Sequence, residues 1–298
     1  MILDEAAVHV LLRMEDLIPA MAGALADLSA GKVVQPMRVM LPVSEHQGFL
    51  GIMPAYAGAL GAKLVTFYPN NQGVPSHHAT ILLFRPETGE PLVSMDGRLI
   101  TEMRTAAVSA VATQHLARTD ASVLGILGAG VQARSHLEAM RLVRKLREVR
   151  VWSPRNARAF AAEFGVHAAA SAEEAVRGAD VVVVATTSQT PVLQGAWLAP
   201  GAHVNAVGAP RPTWRELDDD VLRKSRLYVE SRAAATSESG DVIAAGHVFA
   251  EIGEVVRSVK PGRESASEIT LFKSVGVAVE DVVTADLVYR KARTAAAT

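Results

Sequence analysis

The apolar positions of this chain follow two different rhythms. From residue 4 to about 30, Val8, Leu11, Leu12, Leu17, Ile18, Met21, Leu25 and Leu28 recur at helical spacing up to Ser29-Ala-Gly31, which predicts helix. Short strand-like runs follow at 36–41, 48–53, 63–68, 79–84 and 91–95, broken by Pro, Gly and Asn as antiparallel strands with tight turns are. From Ser122 strands alternate with helices: 122–127, 148–153, a short piece near His167, then 180–185, 203–208 and 227–230. That alternation predicts a parallel sheet covered on both faces. The stretch from Phe272 through Lys291 again reads as helix and is expected to rejoin the first domain, with the Ala-rich tail after Arg293 frayed. The expected division is therefore 1–117 plus a C-terminal helix 272–298, and 118–271.

The second rhythm opens on a recognisable device. The strand 122–127 leads into Gly128-Ala129-Gly130-Val131-Gln132-Ala133 and then a helical stretch. Gly128 permits the turn, Gly130 lets backbone approach a pyrophosphate, and Ala133 keeps the helix close to the sheet. The helix N-terminus offers free N–H groups to the anion. The fold class expected is α/β: a Rossmann-type doubly wound parallel sheet plus an α+β domain built on an antiparallel sheet. Where an NAD-preferring site ends its second strand in Asp or Glu, this chain has Ser153, followed by Pro154, Arg155, Asn156 and Arg158. A hydroxyl with guanidinium groups nearby suits a 2′-phosphate, and so NADPH, with NADH as the alternative. The competing reading is a solvated basic turn.

Composition removes several function classes. Net charge is −1 over 298 residues, which argues against a nucleic-acid partner held by phosphate neutralisation. Cysteine is absent, so there is no disulfide framework, thiolate metal site or cysteine nucleophile. Acid stands near the start where a signal peptide carries base, and no apolar run approaches the roughly 20 residues that span a bilayer. The expectation is a soluble cytoplasmic protein without a membrane partner.

Several side chains are candidates for chemistry. Thr101 reads as an N-cap that leaves Arg104 and Thr105 in a first helical turn, with Arg104 on the face of Val108, Val111 and His115. A guanidinium on an apolar face needs a fixed anion: Asp96 or Glu102 structurally, or a cofactor phosphate or substrate carboxylate. Lys63 opens its strand on the side of Val65 and Phe67, either snorkelling at an edge or desolvated in a site. Arg38, aligned with Met40 between prolines, carries the same ambiguity. Ser76-His77-His78 follows a turn; adjacent histidines point apart, and no cluster has metal-ligand spacing, so no metal is expected. Asp218 to Asp220 read as the solvated start of a helix.

Taken together, the chain resembles the ornithine cyclodeaminase/mu-crystallin family along almost its whole length, closest to the mu-crystallin (ketimine reductase) branch. The resemblance rests on Gln35-Pro-Met-Arg38, Gly51-Ile-Met-Pro-Ala-Tyr56, Lys63-Leu-Val-Thr-Phe-Tyr68, Val74-Pro-Ser-His77 and Arg104-Thr-Ala-Ala-Val-Ser-Ala110. The Gly128 block, Asn205-Ala-Val-Gly-Ala209 and Phe272-Lys-Ser-Val-Gly276 complete it. It implies a homodimer formed through the antiparallel domains, which then serve for dimerisation and substrate binding. It implies that Arg38 holds a substrate carboxylate and that Lys63 lies beside the reacting carbon. Ser76, His77, Arg104, Ser153, Thr186, Val207 and Ser274 then approach the cofactor, and Glu251 matches an acidic position at the ligand pocket. Cyclodeaminases carry an aspartate just after the Asn-Ala-Val-Gly strand; this chain has no acid there before Glu216 and continues as the mu-crystallin branch does, into Arg215-Glu-Leu-Asp218.

The activity so implied is NADPH-dependent reduction of a cyclic imine carboxylate, of pyrroline- or piperideine-2-carboxylate type. Alternatives are a cyclodeaminase-type lyase with bound NAD, an iodothyronine-like small-ligand carrier, and an oxidative amino-acid dehydrogenase running the hydride step backwards. Met53, Tyr56 and Trp214 are candidates to face the substrate.

Overall fold

The computed structural model describes residues 1–296. It divides into two compact units, Met1–Arg104 with the segment from Val277 onward, and Thr105–Gly276. The division falls inside the helix Arg98–Leu116 rather than after residue 117. No described helix is long and apolar enough to cross a membrane.

The first unit is a six-stranded sheet of β1 (Ile2–Leu3), β2 (Val39–Val43), β3 (Gly48–Ala57), β4 (Ala59–Phe67), β5 (His77–Phe84) and β6 (Pro91–Asp96), in the order β1-β6-β5-β4-β3-β2. Neighbours are antiparallel except β1, which runs parallel to β6. Period-two alternation buries Met53 and Ala55 on β3, Val65 on β4, Ala79, Ile81 and Leu83 on β5, and Val93 and Met95 on β6. The C-terminal helix Ala278–Ala295 packs on β3, β4 and β5, and on the helix Met14–Ser29. Gly61 makes that approach close: a Cβ there would meet the Leu82 carbonyl oxygen at 2.5 Å and Val282 at 3.4 Å. That approach keeps position 61 small, and Gly58 turns the chain at φ +75, so the stretch joining β3 and β4 does not look like strand in the sequence.

Several expected boundaries move. The N-terminal helical stretch is two helices, Glu5–Leu11 and Met14–Ser29, because Leu12 and Arg13 take extended backbone. Lys63 sits in the middle of β4 rather than at its start, paired laterally with Met53 and Ile81. Arg38 precedes β2 instead of lying within it. The helix expected to start after Thr101 begins at Arg98, so Arg104 is a full turn further in; the Thr101 hydroxyl donates back to the Gly97 carbonyl. Residues 272–291 are not one helix: Ile269–Lys273 is a strand and helix begins only at Ala278. A short apolar run does not distinguish a fully buried strand from a buried helix by periodicity alone, and Phe272 is wholly buried. The expected frayed tail is helical to Ala295; residues 297 and 298 lie outside the described residues.

The second unit is an all-parallel sheet of β7 (Val123–Leu127), β8 (Glu148–Trp152), β9 (His167–Ala168), β10 (Val181–Val184), β11 (His203–Ala206), β12 (Ser225–Val229), β13 (Ala250–Glu251) and β14 (Ile269–Lys273). Its order, β13-β12-β14-β11-β10-β7-β8-β9, runs outward from β7 to β9 and then restarts on the other flank with β10. The reversal between β7 and β10 is a topological switch point, where doubly wound sheets bind ligands outside the strands' carboxyl ends. Every residue of β7, β10 and β11 is buried, as strands covered on both faces must be. The fold class is the one expected from the sequence.

Candidate active site

In the first unit, β4 presents Lys63 to the same buried face as Gly61 and Val65. An ammonium 2% exposed among apolar neighbours needs a counter-charge, and the C-terminal helix supplies it. Asp281 Oδ2 lies 2.6 Å from Lys63 Nζ, and its Oδ1 accepts from Arg104 Nε at 3.1 Å. Arg104 Nη1 also donates to Glu280 Oε2 at 2.5 Å. Asp281 and Glu280 stand in the first turn of their helix, where carboxylates complement the dipole, and both are fully buried. Arg104 is thus paired, but with neither Asp96 nor Glu102, the structural partners its sequence neighbourhood offered.

Burial pushes the Lys63 pKa down to about 8, with Arg104 and Arg38 adding to the fall and Asp281 opposing it. Arg38 therefore stands within electrostatic reach of Lys63. His77, the first residue of β5, is half-buried; burial and the charges of Lys63 and Arg104 take its pKa down to about 4, so its ring is neutral at pH 7. His78 points the other way and is exposed, as adjacent strand residues do. Ser76 is exposed, and its carbonyl accepts from Tyr68 N. The structure brings Arg38, Lys63, His77 and Arg104 together. The two acids that complete the group, Asp281 and Glu280, come from the C-terminal helix, and the sequence carried no local signal for them. Met53 and Tyr56 lie on opposite faces of β3, one buried and one exposed, so they do not line a common pocket.

In the second unit, β7 delivers the glycine turn. Gly128 has φ +115, and a Cβ there would collide with the Ala185 carbonyl oxygen, so both conformation and space exclude larger residues. Gly130 is different: a Cβ would meet nothing within 4 Å, and the helix Val131–Val143 that it caps has no side-chain cap. An uncapped helix start beside open backbone is the cradle a pyrophosphate fits, and Val131 and Gln132 are the first residues of that helix, next to Ala129. Ala133 is wholly buried against the sheet. Gln132 Oε1, buried, has no hydrogen-bond partner among the described residues. Ser153 follows β8 directly and is half-buried, with Arg155 exposed beyond it.

Other expected cofactor positions have structural ties. Thr186, just past β10, donates to Glu216 Oε1 from both N (2.9 Å) and Oγ1 (2.6 Å). Val207, after β11, is anchored by its N–H to the Val184 carbonyl at 2.9 Å. The Ser274 hydroxyl donates to the wholly buried Glu230, which also accepts from Val275 N and Gly276 N, so this side chain is committed to holding its own turn. Glu251 caps the helix Ile252–Val256 and accepts from Arg232 N at 2.9 Å, a capping duty that the family match alone did not reveal. Trp214 stacks under the Arg211 guanidinium. Asp218 is an N-cap, accepting from Val221 N at 2.8 Å as its position suggested. Lys273, Glu216 and Asp241 form a buried group for which the sequence carried no warning.

Comparison with known proteins agrees with this architecture. The sequence model of the ornithine cyclodeaminase/mu-crystallin family matches residues 1–296. Ketimine reductase mu-crystallin of Macropus fuliginosus is 51% identical over 287 residues, covering 92% of this chain and 91% of the relative. Delta(1)-pyrroline-2-carboxylate reductase of Thermococcus litoralis, solved with NADH and L-proline, superposes with a TM-score of 0.95 at 42% identity, covering 99% of this chain and 98% of that one. An archaeal alanine dehydrogenase dimer with bound NAD gives a TM-score of 0.94 at 36% identity, covering 99% and 97%. The chain belongs to the ornithine cyclodeaminase/mu-crystallin family.

Proposed function

We propose that this protein reduces the C=N bond of cyclic ketimine carboxylates, of pyrroline- or piperideine-2-carboxylate type, to the corresponding amino acid with NADPH, NADH being the alternative donor. Its 51% identity to a ketimine reductase and 42% identity to a pyrroline-2-carboxylate reductase support the reaction. When bound, the reduced nicotinamide supplies hydride to the imine carbon. Gly128, Ala129, Gly130, Val131 and Gln132 hold the pyrophosphate, Ser153 and Arg155 take the 2′-phosphate, and Thr186, Val207 and the Ser274 turn shape the remainder. Ser76, His77 and Arg104 stay assigned to the cofactor side, Arg104 through the orientation its two acids impose. Glu251 is a weaker candidate for the substrate, given its cap.

The observation that carries the reading is the buried Lys63–Asp281 pair. Hydride adds more readily to an iminium than to a neutral imine, so a proton must reach the nitrogen. An ammonium with a pKa of about 8 is charged at neutral pH yet gives its proton up more easily than a solvated lysine. Arg38 anchors the carboxylate through paired hydrogen bonds and so fixes which face of the ring is attacked.

The exposed apolar edge formed by Val39, Met40 and Leu41 on β2, with Tyr56 on β3, supports a homodimer, because an uncovered edge strand of this kind invites pairing. Absence of cysteine fits a cytoplasmic setting. The test is a panel of cyclic 2-imino acids with NADPH and NADH side by side, with wild type and Lys63→Met. Turnover lost in the variant while NADPH still binds supports the assignment; turnover retained removes Lys63 from it. Ammonia and proline formed from ornithine without added reductant point to the lyase instead.

A further inference from the structure

Lys273, the last residue of β14, is fully buried, which is unusual for a lysine outside the reacting group. Its Nζ donates to the Gly208 carbonyl and lies 3.9 Å from Glu216 Oε2 and 3.7 Å from Asp241 Oδ2. Asp241 in turn accepts from Glu216 N and Leu217 N, and Arg215 Nε approaches it at 3.8 Å. The far oxygen of Glu216 takes both donors of Thr186, and a Cβ on Gly208 would collide with Glu216 and with the Thr186 carbonyl. The segments that leave β10, β11 and β14 are therefore tied to one carboxylate at the carboxyl edge of the sheet. They belong to the flank of β7 opposite β8, the half of a doubly wound sheet that takes the second mononucleotide.

We infer that Glu216 is a positioning residue: backed by Lys273 and Asp241, it sets the Thr186 and Gly208 turns in the shape that receives the nicotinamide half of the dinucleotide. The inference rests on the NADPH reading above. The adenosine half, served by Gly130 and Ser153, does not depend on Glu216. Burial raises the Glu216 pKa to about 7 against the pull of Lys273, so ionisation at this carboxylate, and with it the strength of the Thr186 bonds, changes across neutral pH.

The experiment compares two ligands on the full-length protein: NADPH, and 2′-phospho-ADP-ribose, which is the same molecule without nicotinamide. For Glu216→Gln, roughly tenfold weaker NADPH binding with unchanged 2′-phospho-ADP-ribose binding is expected from weakening a charge-assisted hydrogen bond. Equal loss of both ligands, or loss of neither, overturns the inference. If the variant does not fold, the wild type decides. The ratio of the NADPH dissociation constant to that of 2′-phospho-ADP-ribose should rise as pH falls through about 7, and a flat ratio overturns it. Dividing by the control removes titration of the 2′-phosphate itself. A protein that binds neither ligand refutes the reductase reading, which is a different result.

Discussion

Replacing Asp281 with Asn is the sharpest probe of the proton donor. In the folded protein Asp281 Oδ2 is 2.6 Å from Lys63 Nζ, and through charge and hydrogen bond Asp281 raises the lysine pKa against burial, Arg104 and Arg38. Removing it leaves only influences that favour the neutral amine. An opposite charge at such range is worth roughly 1–3 pH units, so the Lys63 pKa should drop from about 8 by that amount. With Lys63 as the proposed proton donor, activity is expected below the Lys63 pKa and is lost above it. The alkaline limb of kcat/KM therefore moves to lower pH. At pH 8 the charged fraction falls from about one half by a factor of roughly 5 to 500.

The assay is kcat/KM for a cyclic ketimine carboxylate across pH at saturating NADPH. Glu280→Gln serves as control, because Glu280 pairs with Arg104 and not directly with Lys63. The Asn variant also leaves Arg104 with one acid fewer, at a cost of up to about 3–5 kcal/mol, so each profile needs a thermal melt beside it. A folded Asp281→Asn protein whose alkaline limb coincides with that of wild type refutes the assignment of Lys63 as the titrating donor.

Further outcomes follow from other parts of the molecule. Ser153→Asp should raise KM for NADPH at least tenfold while sparing NADH, since a carboxylate beside the 2′-phosphate repels it and grips a 2′-hydroxyl; steady-state kinetics with both donors decide this. Gly128→Ala should destabilise the fold by more than about 2 kcal/mol in denaturant titrations, because φ +115 and the Ala185 carbonyl both exclude a Cβ. Gly130→Ala should melt like wild type yet bind NADPH more weakly, since the added methyl meets no protein atom within 4 Å and only the ligand is crowded. His136 and His203 are buried neutral, with pKa values lowered by burial to about 4 and about 3. Their contribution to stability is complete above the unfolded value of about 6.5 and is lost as pH falls towards those folded values. Melting temperature should therefore fall between pH 6.5 and about 4, and less steeply in His136→Gln.

Most of the architecture was legible because periodicity is a direct record of burial. The alternation of β7, β8 and β10 with helices, and the Gly128 turn, were plain in the chain. What the sequence concealed has two physical sources. β14 is only five residues long, too short to show a period, so its last two residues, Phe272 and Lys273, looked like the start of the following helix. The partners of Arg104 and Lys63 lie 176 and more residues away, and long-range ion pairs leave no local pattern. Arg104, flanked by Asp96 and Glu102, offered a plausible but wrong structural pair. The same holds for Lys273, whose acids come from Glu216 and Asp241. The assigned roles of Arg38 and Lys63 came from family likeness; the reason a lysine is suited to the task emerged from its burial.

The dependence of Lys63 and Arg104 on the C-terminal helix also orders events during biosynthesis. Both cations leave the ribosome long before Glu280 and Asp281, so their unit gains these counter-charges only after Thr105–Gly276 has been made. Domains otherwise tend to mature from the N-terminus during translation. Here the nascent chain carries Lys63 and Arg104 without these two acids until residues 280 and 281 have been made, and a product stopped at Gly276 has the glycine turn of the second unit but no counter-charge for Lys63.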